Sequence, residues 1–148
     1  MTELVHTLQM INAARERGDI DDSAEIARRF DRPSTRLAVY GSLAPGKSNH
    51  EVIEGIAGTW KSGFVRGDLL RQGWGMHVGF PGMTWDPKSR NRINVQVFTL
   101  EDLPEHWERL DDFEGKDYLR ILVPVESLAD APIVANIYRV RRTANGNG

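Results

Sequence analysis

The chain has 148 residues, with 19 Lys and Arg against 21 Asp and Glu, and no cysteine. This length suits one domain with a real core. A formal net charge of −2 provides no general basic field for nucleic acid, and the missing cysteine removes disulfides, thiolate metal sites and a Cys nucleophile together. No apolar run approaches the roughly 20 residues that span a bilayer, and Met1-Thr-Glu-Leu-Val-His6 has neither the basic nor the apolar region of a secretory leader. The expectation is a cytoplasmic protein with no nucleic-acid or membrane partner.

Residues 1–35 read as a helical extension. Leu4, Leu8 and Ile11 recur at helical spacing with Val5 beside them, and Gly18 stops the helix. Asp21-Asp-Ser23 can cap a second helix on which Ile26, Ala27 and Phe30 share a face, and Asp31-Arg-Pro33 ends it. Five arginines (Arg15, Arg17, Arg28, Arg29 and Arg32) make the segment basic. It reads as a solvated hairpin docked on the core, or as a surface for oligomerisation. Every strand candidate and every motif with chemical content lies beyond Arg36, so the remaining domain is expected to fold without it.

The stretch Arg36-Leu-Ala-Val-Tyr-Gly-Ser-Leu-Ala-Pro-Gly-Lys-Ser-Asn-His50 organises the rest of the chain. Leu37 to Tyr40 predict a buried strand, Gly41 breaks it, and Pro45-Gly46 turns the chain. Ser48 and Glu51 have the form of a capping box, which predicts a short helix from about Asn49 to Gly55. A strand that ends in Gly and leads to a helix start gathers backbone N–H groups that suit a carboxylate, a phosphate or an oxyanion.

Residues 57–98 alternate glycines (58, 63, 67, 73, 75, 79 and 82) with short apolar pieces: Thr59-Trp60, Phe64-Val65, Leu69-Leu70, Met76-His-Val78 and Ile93 to Phe98. This predicts an antiparallel meander or barrel of short strands rather than βαβ units. Asp86 to Arg92 is a polar turn. Leu100 to Phe113 predicts a helix with Leu103, Trp107 and Leu110 on one face and Pro104 in its first turn. Tyr118 to Val125 and Ile133 to Val140 are two further strand candidates, and 141–148 is a polar tail.

Two chemistries fit the central loop. Gly41-Ser-Leu-Ala-Pro-Gly-Lys47-Ser48 matches the phosphate-binding pattern G-x-x-x-x-G-K-[ST] letter for letter. A short following helix, an antiparallel-looking sheet and the lack of a clean strand ending in Asp all oppose a nucleotide triphosphatase. The other reading pairs the loop with Glu114, in Phe113-Glu-Gly115 at a helix end. In apolar company this carboxyl would have a raised pKa and could act as general base and acid; otherwise it is a surface acid. A glutamate at a helix C-terminus is electrostatically unfavourable, which argues for a purpose. Ser42 is not in a G-x-S-x-G setting, and His6, His50, His77 and His106 lack metal-ligand spacing, so no metal or other cofactor is expected.

Leu37-Ala-Val-Tyr-Gly-Ser-Leu-Ala-Pro-Gly46 with Asn49-His50 resembles the opening motif of the γ-glutamylcyclotransferase-like superfamily, closest to its small γ-glutamylamine-cyclotransferase-type branch. Leu110-Asp-Asp-Phe-Glu-Gly115 with Tyr118-Leu-Arg120 resembles the motif that carries that family's catalytic glutamate, and Gly79-Phe-Pro-Gly82 a weaker third. Val95-Gln-Val-Phe98 departs from the Gly-Glu-Val-Tyr often found on the middle strand. The resemblance covers residues 36–140. It implies an α+β fold, a small mixed, mainly antiparallel β-barrel with flanking helices, to which residues 1–35 are an addition. It implies an enzyme of acyltransferase or lyase type that releases 5-oxoproline from a small-molecule γ-glutamyl substrate, with Glu114 as general base and acid. Tyr40, Gly41, Ser42 and Leu43 would form the binding loop, with Tyr118 and Tyr138 as pocket walls or ordinary barrel packing. The competing expectation is a non-catalytic domain that binds a small carboxylate in the same pocket.

Overall fold

The computed structural model describes residues 2–19, 24–40, 58–70, 82–115 and 118–140. Helix α1 (Thr2–Glu16) and the short α2 (Ala24–Arg29) come first, followed by a 3-10 turn over Pro33–Thr35. Strands β1 (Arg36–Val39), β2 (Thr59–Leu70), β3 (Gly82–Trp85) and β4 (Arg92–Thr99) come next. A second 3-10 turn, Leu103–His106, leads into α3 (Trp107–Glu114), and β5 (Tyr118–Val125) and β6 (Ile133–Val140) complete the order. The expected strands at 37–40, 93–98, 118–125 and 133–140 are therefore present. The expected helix over 100–113 starts as a 3-10 turn, and the expected helix over 49–55 and strand piece at 76–78 lie outside the described residues.

The six strands form one mixed sheet in the order β3-β2-β4-β1-β6-β5. Among the described strands only β1 and β6 are parallel, with Leu37 opposite Asn136; the other pairings are antiparallel. A phosphate-binding loop of the triphosphatase type belongs to successive parallel βα units, and this sheet is not built from them. The sheet curls until Glu126, just past β5, meets Phe64 in β2. Their N–H and C=O groups exchange two hydrogen bonds of 2.9 Å, which nearly close a barrel.

Closure explains the glycines of β2. The pieces at 59–60, 64–65 and 69–70 are one twelve-residue strand, so Gly63 and Gly67 are not turns. A Cβ on Gly63 would lie 2.6 Å from Val125 Cγ1, at the seam, and one on Gly67 would lie 2.0 Å from the Thr84 carbonyl oxygen. Both are places where a neighbouring strand comes too close for a side chain. At Gly67 the strand also changes partners, from β4 to β3. Pro124, whose ring removes one donor, still sits within β5 opposite Val134.

Strict alternation sorts the side chains into layers. Ala38, Val65, Ile93, Val95, Val97, Ile121, Val123, Ala135 and Ile137 fill the barrel. On one outer face Leu37, Val39, Phe98 and Tyr138 meet Leu103, Trp107 and Leu110, the helix face expected from the sequence. On another, Leu8, Ile11 and Phe30 pack on Leu122 and Val134.

That last layer makes Leu8, Ile11 and Phe30 part of the core. The stripe of α1 that begins with Leu8 and Ile11 continues as Asn12 and Arg15, both buried. The Asn12 amide donates to the Leu122 carbonyl at 2.9 Å and accepts from its N–H at 2.8 Å. Arg15 donates to the Arg120 carbonyl at 3.1 Å. These are backbone groups on the side of β5 away from β6, so α1 caps a strand edge that would otherwise invite pairing with another chain. The buried Arg36 guanidinium ties the next segment down, donating to the carbonyls of Phe30 and Val134 at 2.8 Å each. Burial lowers its pKa, an effect partly opposed by Asp31, yet arginine stays protonated in proteins.

This packing can be tested at three points. Asn12→Ala leaves two buried backbone groups of Leu122 unpaired and should cost about 1–3 kcal/mol in denaturant titration. A chain lacking residues 1–35 should lose cooperative unfolding in denaturant, contrary to the expectation from sequence; a sharp transition at an unchanged midpoint would restore the view of a detachable extension. Separately, Gly67→Ala should destabilise by about 1–3 kcal/mol through overpacking against Thr84, and an unchanged urea midpoint would contradict the contact.

Candidate active site

The sheet topology decides which residues can meet. Because β1 and β6 are parallel they finish at the same end of the barrel, and β5, antiparallel to β6, begins there, with Tyr118 opposite Val140. Strand β4 also begins on this side and β2 runs toward it. Tyr40, which leads into Gly41-Ser-Leu43, and Tyr118, four residues beyond Glu114, are therefore anchored at one rim. Gly82, the last residue of the third motif, pairs with Leu70 at the end of β2. Gly41, Ser42 and Leu43 themselves lie outside the described residues.

Each described candidate has a definite place. Tyr40 packs against the barrel interior, and its hydroxyl donates to the Tyr138 carbonyl at 2.6 Å, tying the end of β1 to β6. Tyr118 and Tyr138 lie on the opposite face, in the layer beneath α3. The buried Tyr138 hydroxyl donates to Asp111 Oδ1 at 2.5 Å. The three tyrosines thus belong to two faces of the same sheet, not to one wall.

Helix α3 brings Glu114 to this region as its last residue. The face Leu103, Trp107 and Leu110 is buried on the sheet, and Trp107 Nε1–H donates to the Ser34 carbonyl at 2.8 Å. The end of the helix carries Asp111, Asp112 and Glu114, with no basic residue in its last turn, an arrangement opposed by the helix dipole. A cation from the sheet answers it. Arg120 of β5 grips both oxygens of Asp111, at 3.0 and 3.2 Å, while its guanidinium lies 4.2 Å over the Trp107 ring. Gly115 then adopts φ 88°, ψ 177°, a conformation natural only to glycine. Its N–H caps the Asp111 carbonyl at 3.0 Å, and β5 begins three residues later.

Asp111 and Arg120 are letters of the second motif to which the sequence alone assigns no task. The signals that point to them are an arginine alternating with apolar residues in a buried strand, and a helix end with three carboxylates and no cation of its own. Among the described residues no group of three or more acidic or histidine side chains could hold a metal ion, and no helix is long and apolar enough to cross a membrane.

A mixed sheet of six strands that curls into a nearly closed barrel, with helices on its flanks, is the fold of the AIG2-like proteins. The family model "Gamma-glutamyl cyclotransferase, AIG2-like" matches residues 37–147, and the chain belongs to that family. An AIG2-like protein of Mus musculus superposes with a TM-score of 0.58 at 21% identity, over 74% of this chain and 79% of that one. YkqA of Bacillus subtilis gives 0.56 at 24% identity over 72% of this chain. An uncharacterised protein of Pyrococcus horikoshii gives 0.51 at 22%, over 74% of this chain and 80% of its own. The chain spans only 35% of the Bacillus subtilis protein. At these identities the likeness speaks to the fold. No curated protein matches the sequence.

Gly115→Ala tests the helix end. A Cβ there meets nothing within 4 Å, so the cost is one of backbone conformation alone, about 1–3 kcal/mol. Chemical denaturation should show that loss with the circular dichroism of the fold retained; an unchanged midpoint would contradict the positive φ.

Proposed function

We propose that the protein is a cofactor-independent γ-glutamyl cyclotransferase that releases 5-oxoproline and a free amine from a γ-glutamyl compound. The observation that carries this reading is the family match, which spans both motifs, together with strand directions that bring Tyr40 and Tyr118 to one rim. In the proposed reaction Glu114 accepts a proton from the substrate's α-amine. The amine nitrogen attacks its own γ-carbonyl carbon, forming the ring C–N bond. Backbone amides near Ser42 and Leu43 hold the substrate carboxylate or the charge developing on the carbonyl oxygen. The bond to the leaving amine then breaks, and Glu114 returns the proton to the departing nitrogen. Attack within one molecule needs no enzyme nucleophile; it needs a folded substrate and one proton carrier. This agrees with a chain that has no cysteine.

The reading separates cleanly from its two rivals. Incubation of the whole protein with a panel of γ-glutamyl amino acids, peptides and amines should release 5-oxoproline from at least one. Glu114→Gln should lower kcat by about 10²–10⁴-fold, whereas Lys47→Ala and added chelator should change the rate little. Release from no panel member would favour a domain that only binds small carboxylates. A magnesium requirement with an inactive Lys47→Ala protein would favour phosphate chemistry.

A further inference from the structure

The strongest unassigned feature is the polar cluster that joins the last turn of α3 to the sheet. Arg120, with a side chain only 13% exposed, reaches from β5 to Asp111, which is 42% exposed. It also donates to Asn136 Oδ1 at 3.2 Å. Asp111 accepts as well from the Tyr138 hydroxyl. Its main-chain carbonyl receives the Gly115 N–H. One residue is thus fixed through its carboxylate to β5 and β6, and through its carbonyl to the residue after Glu114. Glu114 lies between these two fixed points, close to one helical turn beyond Asp111, in a helix of only eight residues. So short a helix has little stability of its own, and its carboxylate-rich end is opposed by the dipole. Where that end sits is set by what grips it.

We propose that Arg120 and Asp111, with the Tyr138 hydroxyl, are positioning residues that hold the turn bearing Glu114 at the rim. This deepens the proposed cyclotransferase function and rests on it. The physical reason is geometric. A planar guanidinium that grips both carboxylate oxygens fixes direction as well as distance. Stacking on Trp107, one turn earlier in α3, gives the same arginine a second hold on the helix. A lysine would keep the charge but lose both the fork and the stack. Such a clamp acts on turnover, because displacement of a catalytic group by about 1 Å can cost ~10²-fold in rate.

The test uses the full chain carrying Arg120→Lys and, separately, Asp111→Asn, which keeps shape on a half-exposed side chain and so preserves the fold. Each should lower kcat about 10- to 100-fold with KM changed by less than about threefold, the pattern of an interaction made in the transition state. If the clamp acts through Glu114, adding Arg120→Lys to Glu114→Gln should lower the residual rate no further. Independently of activity, amide hydrogen exchange at Gly115 should accelerate in both variants while that of β1 and β6 stays unchanged. Fully additive rate losses, an effect confined to KM, or unaltered exchange at Gly115 would each overturn the proposal. A wild-type chain that releases no 5-oxoproline defeats the functional reading instead, and the exchange measurement then decides by itself whether the clamp holds the helix end.

Discussion

Asn136 is the residue on which the parts of this structure converge. Its backbone sits at the register point of the parallel β1–β6 pair, opposite Leu37. Its side chain, fully buried, donates to the Pro33 carbonyl at 3.0 Å and accepts from Arg15 at 2.9 Å and Arg120 at 3.2 Å. One carboxamide therefore ties the sheet to α1, to the turn before β1 and, through Arg120, to the end of α3. A buried amide is costly unless its groups are paired. Here the pairing partners come from three separate parts of the chain, so the amide is satisfied only when all of them are in place. That is a demand for one arrangement over the alternatives, which a purely apolar contact would not make.

The parallel pair also has a chemical consequence. Antiparallel neighbours send consecutive strand ends to opposite sides of a barrel. A single parallel pairing places the ends of β1 and β6 together and, through the β5–β6 hairpin, the start of β5 with them. The two motifs that carry the resemblance, ending at His50 and beginning at Leu110, are separated by 59 residues of sequence, and strand direction brings their anchors to one rim. The proposed reaction, in which the substrate attacks itself, asks of a protein only donors for a carboxylate or oxyanion and one proton carrier.

Charge is handled in the same economical way. Helix α3 ends in carboxylates, the wrong sign for its dipole, and the correction comes from a sheet arginine rather than from the helix itself. At the other flank, α1 meets the edge of β5 with an asparagine that pairs both backbone groups of Leu122. In both places a side chain from a neighbouring layer completes what a local element lacks.

Local regularities were legible in the sequence. The apolar runs in Tyr118 to Val125 and Ile133 to Val140 mark two strands, the stripe Leu103, Trp107, Leu110 and the spacing of Leu8 and Ile11 express a period of 3.6, and the structure buries each of them. The two motifs, being runs of consecutive letters, were equally open to inspection. Tertiary structure alone decided that Gly63 and Gly67 lie inside one strand, because their reason is the approach of Val125, Glu126 and Thr84. It alone decided that Tyr138 faces α3, that Asn12 caps an edge and that Arg120 grips Asp111. A side-chain period is a property of neighbours along the chain, whereas these are contacts between residues that only folding brings together, and their partners are not written beside them.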